Sequence, residues 1–287
     1  MQLMILNSRN ADAIRRLLHS KSDLNATLKS VTGFSLAGMF EFFATAVGDA
    51  GSKAQIQQIE ELVIARNGRM REAWLQWTGT AADACGEVDC HAAPPVEFFR
   101  LRHREDQTGL PYQLYQERFV RSLKEAEFQR KFAEALAGAM ADMTDNVIQH
   151  SLASPGEFSG FAGFHIMPGY MAFAVIDVGR GVLASLSRSP TWAHLHTASD
   201  ALRAAVFQNA SSRPDQPEGE GFRTLFKSLA DRNCRLRFRS DNAVLNIEDA
   251  GMHREAAIAS SPPLCGLQLS VCCTLKGRPE EKVIDGA

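Results

Sequence analysis

Residues 161–177, FAGFHIMPGYMAFAVID, decide the fold of the second half of the chain. Two apolar runs, 161–167 and 170–176, are separated by Pro168 and Gly169, a pair that is typical of a tight turn. The stretch therefore predicts a β-hairpin whose second strand is followed directly by an acidic residue, Asp177.

The composition is that of a soluble globular protein. The chain has 287 residues, of which 45% are hydrophobic and 22% are charged, so it can bury a sizeable core. Its 31 Lys and Arg residues nearly balance 33 Asp and Glu residues, and the net charge of -2 gives no global reason to bind nucleic acid or an anionic membrane. Small molecules and protein partners are the ligands that this composition leaves open.

Neither a targeting segment nor a structural zinc site is predicted. The N-terminal sequence MQLMILNSRNADAIRRLL lacks the features of a signal peptide, and no apolar run reaches the roughly 20 residues of a spanning helix, so a cytoplasmic location is expected. Cys85 and Cys90 lie close to His91, but no second pair of ligands follows, which favours reduced thiols over zinc. Cys272 and Cys273 are adjacent in a strand-like run and should point to opposite faces of a sheet.

Four regions can be separated along the chain. We assign residues 1–90 to a mainly helical N-terminal region, 91–114 to a linker and an edge strand, 115–276 to an α/β domain and 277–287 to a tail.

One long helical pattern, 115–151, precedes the hairpin. Its apolar residues recur every three or four positions, which predicts that one helix face packs on a core. They are Phe128, Phe132, Leu136, Met140, Met143 and Val147. Further helices are predicted at 199–210 and 222–233, and further strands at 96–104, 234–240, 243–249 and 267–275.

Arginines alternate with apolar residues along strand 234–240. Arg235, Arg237 and Arg239 fall on one face, and Leu236 and Phe238 fall on the other. We expect the arginines to form the solvated face of an amphipathic strand rather than a binding patch.

A polar stripe runs along the end of the long helical pattern, in ADMTDNVIQH at 141–150. Steps of four residues keep Asp142, Asn146 and His150 on one slowly drifting helix face, beside the apolar stripe. Both a polar groove and an ordinary exposed helix face are consistent with this spacing.

Two glycine motifs follow the stripe. In VIDVGRG, Asp177 is followed by Gly179 and Gly181, which allow a sharp turn and a close approach to a ligand, while the carboxylate can accept a hydrogen bond from an exocyclic amine. In EGEG, Gly219 and Gly221 open a helix, whose free N–H groups favour phosphate. Each motif, taken alone, can equally serve only to shape a loop.

Taken in order, these motifs resemble the GHKL superfamily, which includes the ATPase domains of DNA gyrase, sensor histidine kinases and anti-sigma-factor serine kinases. The resemblance covers roughly residues 115–276. It implies an α/β fold of the Bergerat type, a two-layer sandwich with a mixed sheet and helices on one face. The smaller helical region 1–90 would precede it.

The resemblance implies a role for each residue of the polar stripe. Asn146 matches the asparagine that coordinates Mg²⁺ bridging the phosphates, and its amide oxygen suits that hard cation. Asp142 matches the position of a glutamate that acts as general base. His150 matches a frequent terminal histidine beside the nucleotide, although a hydrogen-bonded, partly buried imidazole is an equal alternative.

The resemblance also assigns the other nucleotide contacts. Asp177 matches the aspartate that accepts from the adenine amino group. The two glycine boxes are matched by Gly179 and Gly181 and by Gly219 and Gly221, and residues 182–218 between them would form a mobile nucleotide lid.

Three positions depart from the family pattern. Asp142 replaces a glutamate and is one methylene shorter, Gln149 stands where many members have Lys or Arg, and Gly266 is followed by Leu267 instead of Thr. A shorter carboxylate can slow or abolish activation of a nucleophile.

Three functions stay open at this point. The first is a Mg²⁺-dependent ATP-binding enzyme, either an ATPase or a protein serine/threonine kinase. The second is a catalytically degenerate module whose nucleotide gates a protein interaction, and the third is an unrelated α/β protein. The expected ligands are ATP or ADP with Mg²⁺ and a protein partner or substrate; a homodimer is open, and neither nucleic acid nor membrane is expected.

Overall fold

The computed structural model describes residues 4–6, 31–41, 96–101, 108–150, 160–212, 221–229, 232–248, 256–277 and 282. Most of region 1–90, the group Cys85, Cys90 and His91, and the glycine at 219 lie outside the described residues.

The described elements alternate between helices and strands. The strands are β1 (Met4–Leu6), β2 (Val31–Phe34), β3 (Val96–Leu101), β4 (Gly160–Met167), β5 (Tyr170–Asp177), β6 (Asn233–Ser240), β7 (Ala243–Ile247), β8 (Ile258–Ser260) and β9 (Leu267–Thr274). The main helices are α1 (Leu110–Glu125), α2 (Arg130–His150), α3 (Gly181–Leu186), α4 (Ala198–Phe207) and α5 (Gly221–Leu229), and residues 36–41 are also helical.

The predicted hairpin is confirmed. β4 and β5 pair antiparallel from Met167 and Tyr170 at the turn to Gly160 and Asp177 at the open end. Gly169 has φ +69°, a value that glycine adopts without strain. Every residue of β5 is buried, so both faces of this strand are covered by other parts of the chain.

The seven-stranded sheet has the order β3-β4-β5-β9-β6-β7-β8, and all six neighbouring pairs are antiparallel. The expectation of a mixed sheet is therefore wrong for this sheet. β5 and β6 do run in the same direction across the helical crossover between them, but β9 lies between the two and pairs antiparallel with both. β1 and β2 form a separate parallel pair.

The long helical pattern is divided into two helices. Ala126 ends α1, and Glu127 has φ +70°, in the left-handed region, so the i→i+4 hydrogen bonding of a helix is interrupted there. α1 and α2 can then pack side by side. A periodicity that continues through the break concealed it in the sequence.

One face of the sheet packs against α1, α2 and α5. The six predicted apolar residues, five in α2 and Phe128 just before it, are all buried in this core. From α1, the Phe119 ring lies 5.3 Å from Phe164 and 6.1 Å from Phe173, centroid to centroid. The amphipathic interpretation of the helix is therefore confirmed.

The arginines of β6 are buried, so their assignment to a solvated face is wrong. Arg237 donates to the carboxylate of Glu41 at 2.5 Å through Nε and to Asn246 at 3.0 Å. Arg239, which is 0% exposed, donates to the carbonyl of Pro262 at 2.7 Å and to the hydroxyl of Ser261. The alternation was correct, but part of the N-terminal region covers this face.

Residues 35–41 make that cover. The Phe40 ring lies 5.9 Å from Phe98 and 6.4 Å from Phe161, and the carbonyl of Ala37 accepts a hydrogen bond from the Gln268 side chain at 3.2 Å. Both faces of the sheet are therefore covered by described residues. The expectation that helices cover one face only is wrong for this α/β fold.

A disulfide joins two strands of the sheet. Cys234 and Cys273 are register partners in β6 and β9, with their Cα atoms 4.1 Å apart. Both side chains are buried in the core beneath the helices, whereas Cys272, which is not part of this disulfide, lies on the opposite face beside Ser35 and Ala37. The predicted opposite orientation of Cys272 and Cys273 is confirmed, and the bond itself was not predicted.

We expect Glu41→Gln to lower the free energy of unfolding by about 3 kcal/mol, because it leaves the buried Arg237 without its counter-charge. Urea denaturation measures the change. The matched control is Glu134→Gln, which breaks the exposed pair of Glu134 with Arg130 at 2.7 Å and should give no resolvable change. Equal effects of the two substitutions would contradict a buried, stabilising contact at residue 41.

Candidate functional site

The last turns of α2 lie against the open end of the β4–β5 hairpin. An ideal Cβ on Gly160 would be 2.5 Å from Cγ1 of Val147 and 2.0 Å from the carbonyl oxygen of Ile176. Only glycine fits between helix and strand at this close approach. Gly160 is the register partner of Asp177, so the helix turn that carries Asn146 and Val147 lies at the strand end that carries Asp177.

The polar stripe of α2 borders the core rather than open solvent. Asp142 and Asn146 are half-buried, and Met143 and Val147 beside them are buried. The backbone of residue 150 is helical, but its side chain lies outside the description, so the role expected of His150 stays a prediction.

Tyr112 of α1 lies beneath this part of α2, and sequence reasoning missed it. Its hydroxyl is hydrogen-bonded to that of Thr144 at 2.6 Å. Burial raises the pKa of Tyr112 to about 12, against the lowering effect of the Thr144 hydrogen bond, and the negative charges of Asp142 and Asp145 raise it further. The phenol therefore stays neutral at physiological pH. The spacing of the aromatic residues in α1 predicts only that Tyr112 is buried.

Gln149, which stands where many GHKL proteins have Lys or Arg, makes a hydrogen bond within its own helix. Gln149 donates from Nε2 to the Oδ2 of Asp145, one turn earlier. Asp145 is therefore already engaged by a side chain of its own helix. Asp142 stays the candidate general base.

Asp177 is the most unusual ionisable group of the site. It is 4% exposed, and the backbone N–H of Gly179 donates to its Oδ1 at 2.6 Å. Burial raises the pKa of Asp177 to about 7, although the Gly179 hydrogen bond and the positive charge of Arg180 lower it. A buried carboxyl with such a pKa is a common feature of ligand-binding and catalytic sites.

The glycine loop after Asp177 is held by a second close backbone approach. Gly181 has φ +78° and Gly266 has φ +72°. A Cβ on Gly266 would lie 1.8 Å from the carbonyl oxygen of Asp177, so the turn before β9 packs directly on the end of β5. This close approach explains why residue 266 is a glycine, which the resemblance to the GHKL superfamily did not explain.

The start of α5 packs against the apolar cluster that α3 and α4 share. The ring of Phe222, the residue after Gly221, is 5.3 Å from Phe238 in an edge-on contact. Phe222 also packs against the apolar cluster that contains Val182 of α3. The helix that follows each glycine motif thus begins on the same side of the sheet, although the glycine at 219 itself lies outside the described residues.

The segment expected to form a lid is folded over residues 182–212, and residues 213–218 lie outside the description. Thr197 caps α4 by accepting from the N–H of Asp200 at 3.0 Å. α3 and α4 bury an apolar cluster of their own. Whether the segment moves as a lid stays a prediction.

Arg180, in the glycine loop after Asp177, is half-buried, whereas His194 and His196 are exposed and lie outside the site. Within the described residues, no group of three or more His, Cys, Asp or Glu side chains could hold a metal ion. In the same residues, no helix is both long and apolar enough to cross a membrane.

No protein-family model matches the chain, and no curated protein is significantly similar to it.

Asp177→Asn should change the pH dependence of stability. The folded-state pKa of about 7 lies above the ordinary value of 3.8, so between these pH values the folded protein holds a proton that the unfolded chain has lost. The parent should therefore lose stability as pH rises towards 7, by about 1.4 kcal/mol per pH unit in mid-range, and the variant should not. Urea denaturation at pH 5, 6 and 7 measures the difference. A difference between parent and variant that is constant with pH would contradict the burial of a titrating carboxyl.

Gly266→Ala should destabilise the protein far more than Gly169→Ala. Both glycines have positive φ, so both variants carry backbone strain of about 1–2 kcal/mol. Only the new methyl at 266 meets an obstacle, the Asp177 carbonyl, since nothing lies within 4 Å of a Cβ at 169. Thermal unfolding of the two variants measures the contrast. Equal losses would show that the turn before β9 does not pack on Asp177.

Proposed function

We propose that the chain is a Mg²⁺-dependent ATP-binding protein of the GHKL type, acting as an ATPase or as a protein serine/threonine kinase in regulation. The observation that carries the proposal is the position of a buried carboxyl, Asp177, at the strand end beside the Asn146 turn of α2. The order of motifs in the sequence supports the same function.

Asp177 would recognise the base. Gly179 donates to Oδ1, which fixes the carboxyl, and among the described residues it is the hydrogen-bond donor to this group. The other oxygen can accept from an exocyclic amino group such as that of adenine. A nearly dry site makes such a hydrogen bond selective, because an unpaired buried carboxylate is costly.

Asn146 and Asp142 would act at the phosphates. The amide oxygen of Asn146 is a suitable ligand for Mg²⁺, which favours oxygen donors and which would neutralise phosphate charge when bound. Asp142, one turn earlier on the same face, would accept a proton from the attacking water or hydroxyl. Free backbone N–H groups at the start of α5 would donate hydrogen bonds to phosphate oxygens.

Such a site needs few reactive side chains. Phosphoryl transfer depends mainly on positioning and on stabilisation of charge. The proposal therefore does not require a nucleophile from the protein, and the acceptor would be water or a hydroxyl of a protein substrate.

The second candidate is a nucleotide-gated interaction module without turnover. Two observations favour it: Asp142 has a shorter side chain than the family's glutamate, and Gln149 bonds to Asp145 instead of offering a cation to phosphate. In this case ATP would bind and would control the affinity for a protein partner.

Isothermal titration of the full chain with ATP and ADP, with and without Mg²⁺, tests both candidates. We expect ATP binding that requires Mg²⁺ and that falls at least tenfold in Asn146→Ala, since the variant removes a metal ligand. Asp177→Asn should weaken ATP more than GTP, because the carboxyl recognises the amino group. No affinity for any adenine nucleotide would refute both candidates.

Formation of ADP, which an ATPase and a protein kinase both release, separates the enzyme from the module. Turnover by the parent that Asp142→Asn abolishes supports the enzyme. If instead the parent binds ATP without turnover, Asp142→Glu, which restores the missing methylene, should create or raise turnover. Thr144→Ser is the matched control in the same helix turn, and it keeps the hydroxyl that Tyr112 contacts.

A further inference from the structure

Ser240, the last residue of β6, connects two backbone segments that border Asp177. Its hydroxyl accepts a hydrogen bond from the N–H of Val182 at 2.9 Å and donates to the carbonyl of Gly266 at 2.8 Å. The side chain is 1% exposed, so these two contacts are made away from water. Val182 opens α3 after the glycine loop, and Gly266 immediately precedes β9.

The hydroxyl acts as a helix cap supplied from a distant strand. α3 has no side-chain cap of its own at Arg180, so the first N–H groups of this short helix need other acceptors. Ser240 satisfies the one on Val182. Without it, a buried donor and a buried acceptor would both lose their partner.

The same hydroxyl limits where the glycine loop can lie. A Cβ on Gly181 would be 3.1 Å from the Oγ of Ser240 and 3.4 Å from the carbonyl oxygen of Gly266. At the other end of the loop, Gly266 lies against the carbonyl of Asp177. The loop from Asp177 to Gly181 is therefore bounded by Ser240 and Gly266.

Strand register puts Ser240 and Asp177 at the same edge of the sheet. Ser240 pairs with Leu267 of β9, and Ile176 pairs with Gln268. One residue further, Asp177 lies on the other side of Leu267. Side chains at 177 and 240 also point to the helix-covered face, like Val175 and Phe238 in their strands.

We propose that Ser240 is a positioning residue for base recognition: through Val182 and Gly266 it holds the 177–181 loop so that the Gly179 N–H fixes the Asp177 carboxyl. Ser240 does not touch the nucleotide. The inference rests on the proposed function for its ligand, but the loop contact itself is independent of any nucleotide.

The test combines hydrogen exchange with nucleotide titration on the full chain. Ser240→Ala should speed amide exchange of residues 178–186 about tenfold, lower ATP affinity about tenfold and reduce the preference for ATP over GTP, because one buried cap is lost. Ser240→Thr keeps the hydroxyl and should restore all three. Ser270→Ala is the matched control, since Ser270 is also buried, in β9, but lies on the opposite face of the sheet.

Each outcome decides one part. Unchanged exchange in Ser240→Ala overturns the positioning role, and faster exchange with unchanged ATP affinity overturns its link to the nucleotide. A parent that binds no ATP refutes the proposed function and with it the base-recognition half, while exchange still decides whether Ser240 holds the loop. If Ser240→Ala does not fold, Ser240→Cys keeps the shape with weaker hydrogen bonds and should give smaller changes in the same directions.

Discussion

The insertion of β9 between β5 and β6 is the constraint on which the rest of the domain depends. β5 and β6 are connected through α3, α4 and α5 and run in the same direction, but their hydrogen-bonding edges meet only through β9. Residues 92 to 104 positions apart in sequence, from Ile176 and Gln268 to Tyr170 and Thr274, thereby become neighbours. Because β9 begins at this edge, the turn before it packs on the end of β5. The Gly266 carbonyl in this turn accepts a hydrogen bond from the Ser240 hydroxyl at the end of β6.

Coverage of both sheet faces follows from the burial of the central strands. β4 and β5 are buried along nearly their whole length, so neither face can be left to water without a large loss of apolar burial. The helices cover one face with aromatic and aliphatic side chains. On the other face, the arginines of β6 can be buried because Glu41 balances the charge of Arg237 and the carbonyl of Pro262 accepts a hydrogen bond from Arg239.

The proposed site contains features that are unfavourable for folding. Burying Asp177 opposes its ionisation, and the glycines at 181 and 266 exclude side chains where the backbone must come close. These features add no apolar contact of their own. The function proposed for this edge of the sheet, which is to bind a ligand with an amino group, gives a reason for these features.

The hairpin, the apolar stripe of α2 and most strands of the sheet could be predicted from the sequence, because alternation and helical periodicity are local properties that burial follows directly. The sequence also singled out Asp142, Asn146 and Asp177 by spacing. Four features could be seen only in the folded chain: the break at Glu127, the burial of the β6 arginines, the Cys234–Cys273 bond and the contact of Ser240 with Val182. Each of these depends on which distant segment covers or pairs with a strand, and periodicity cannot distinguish a face that meets water from one that meets another part of the chain.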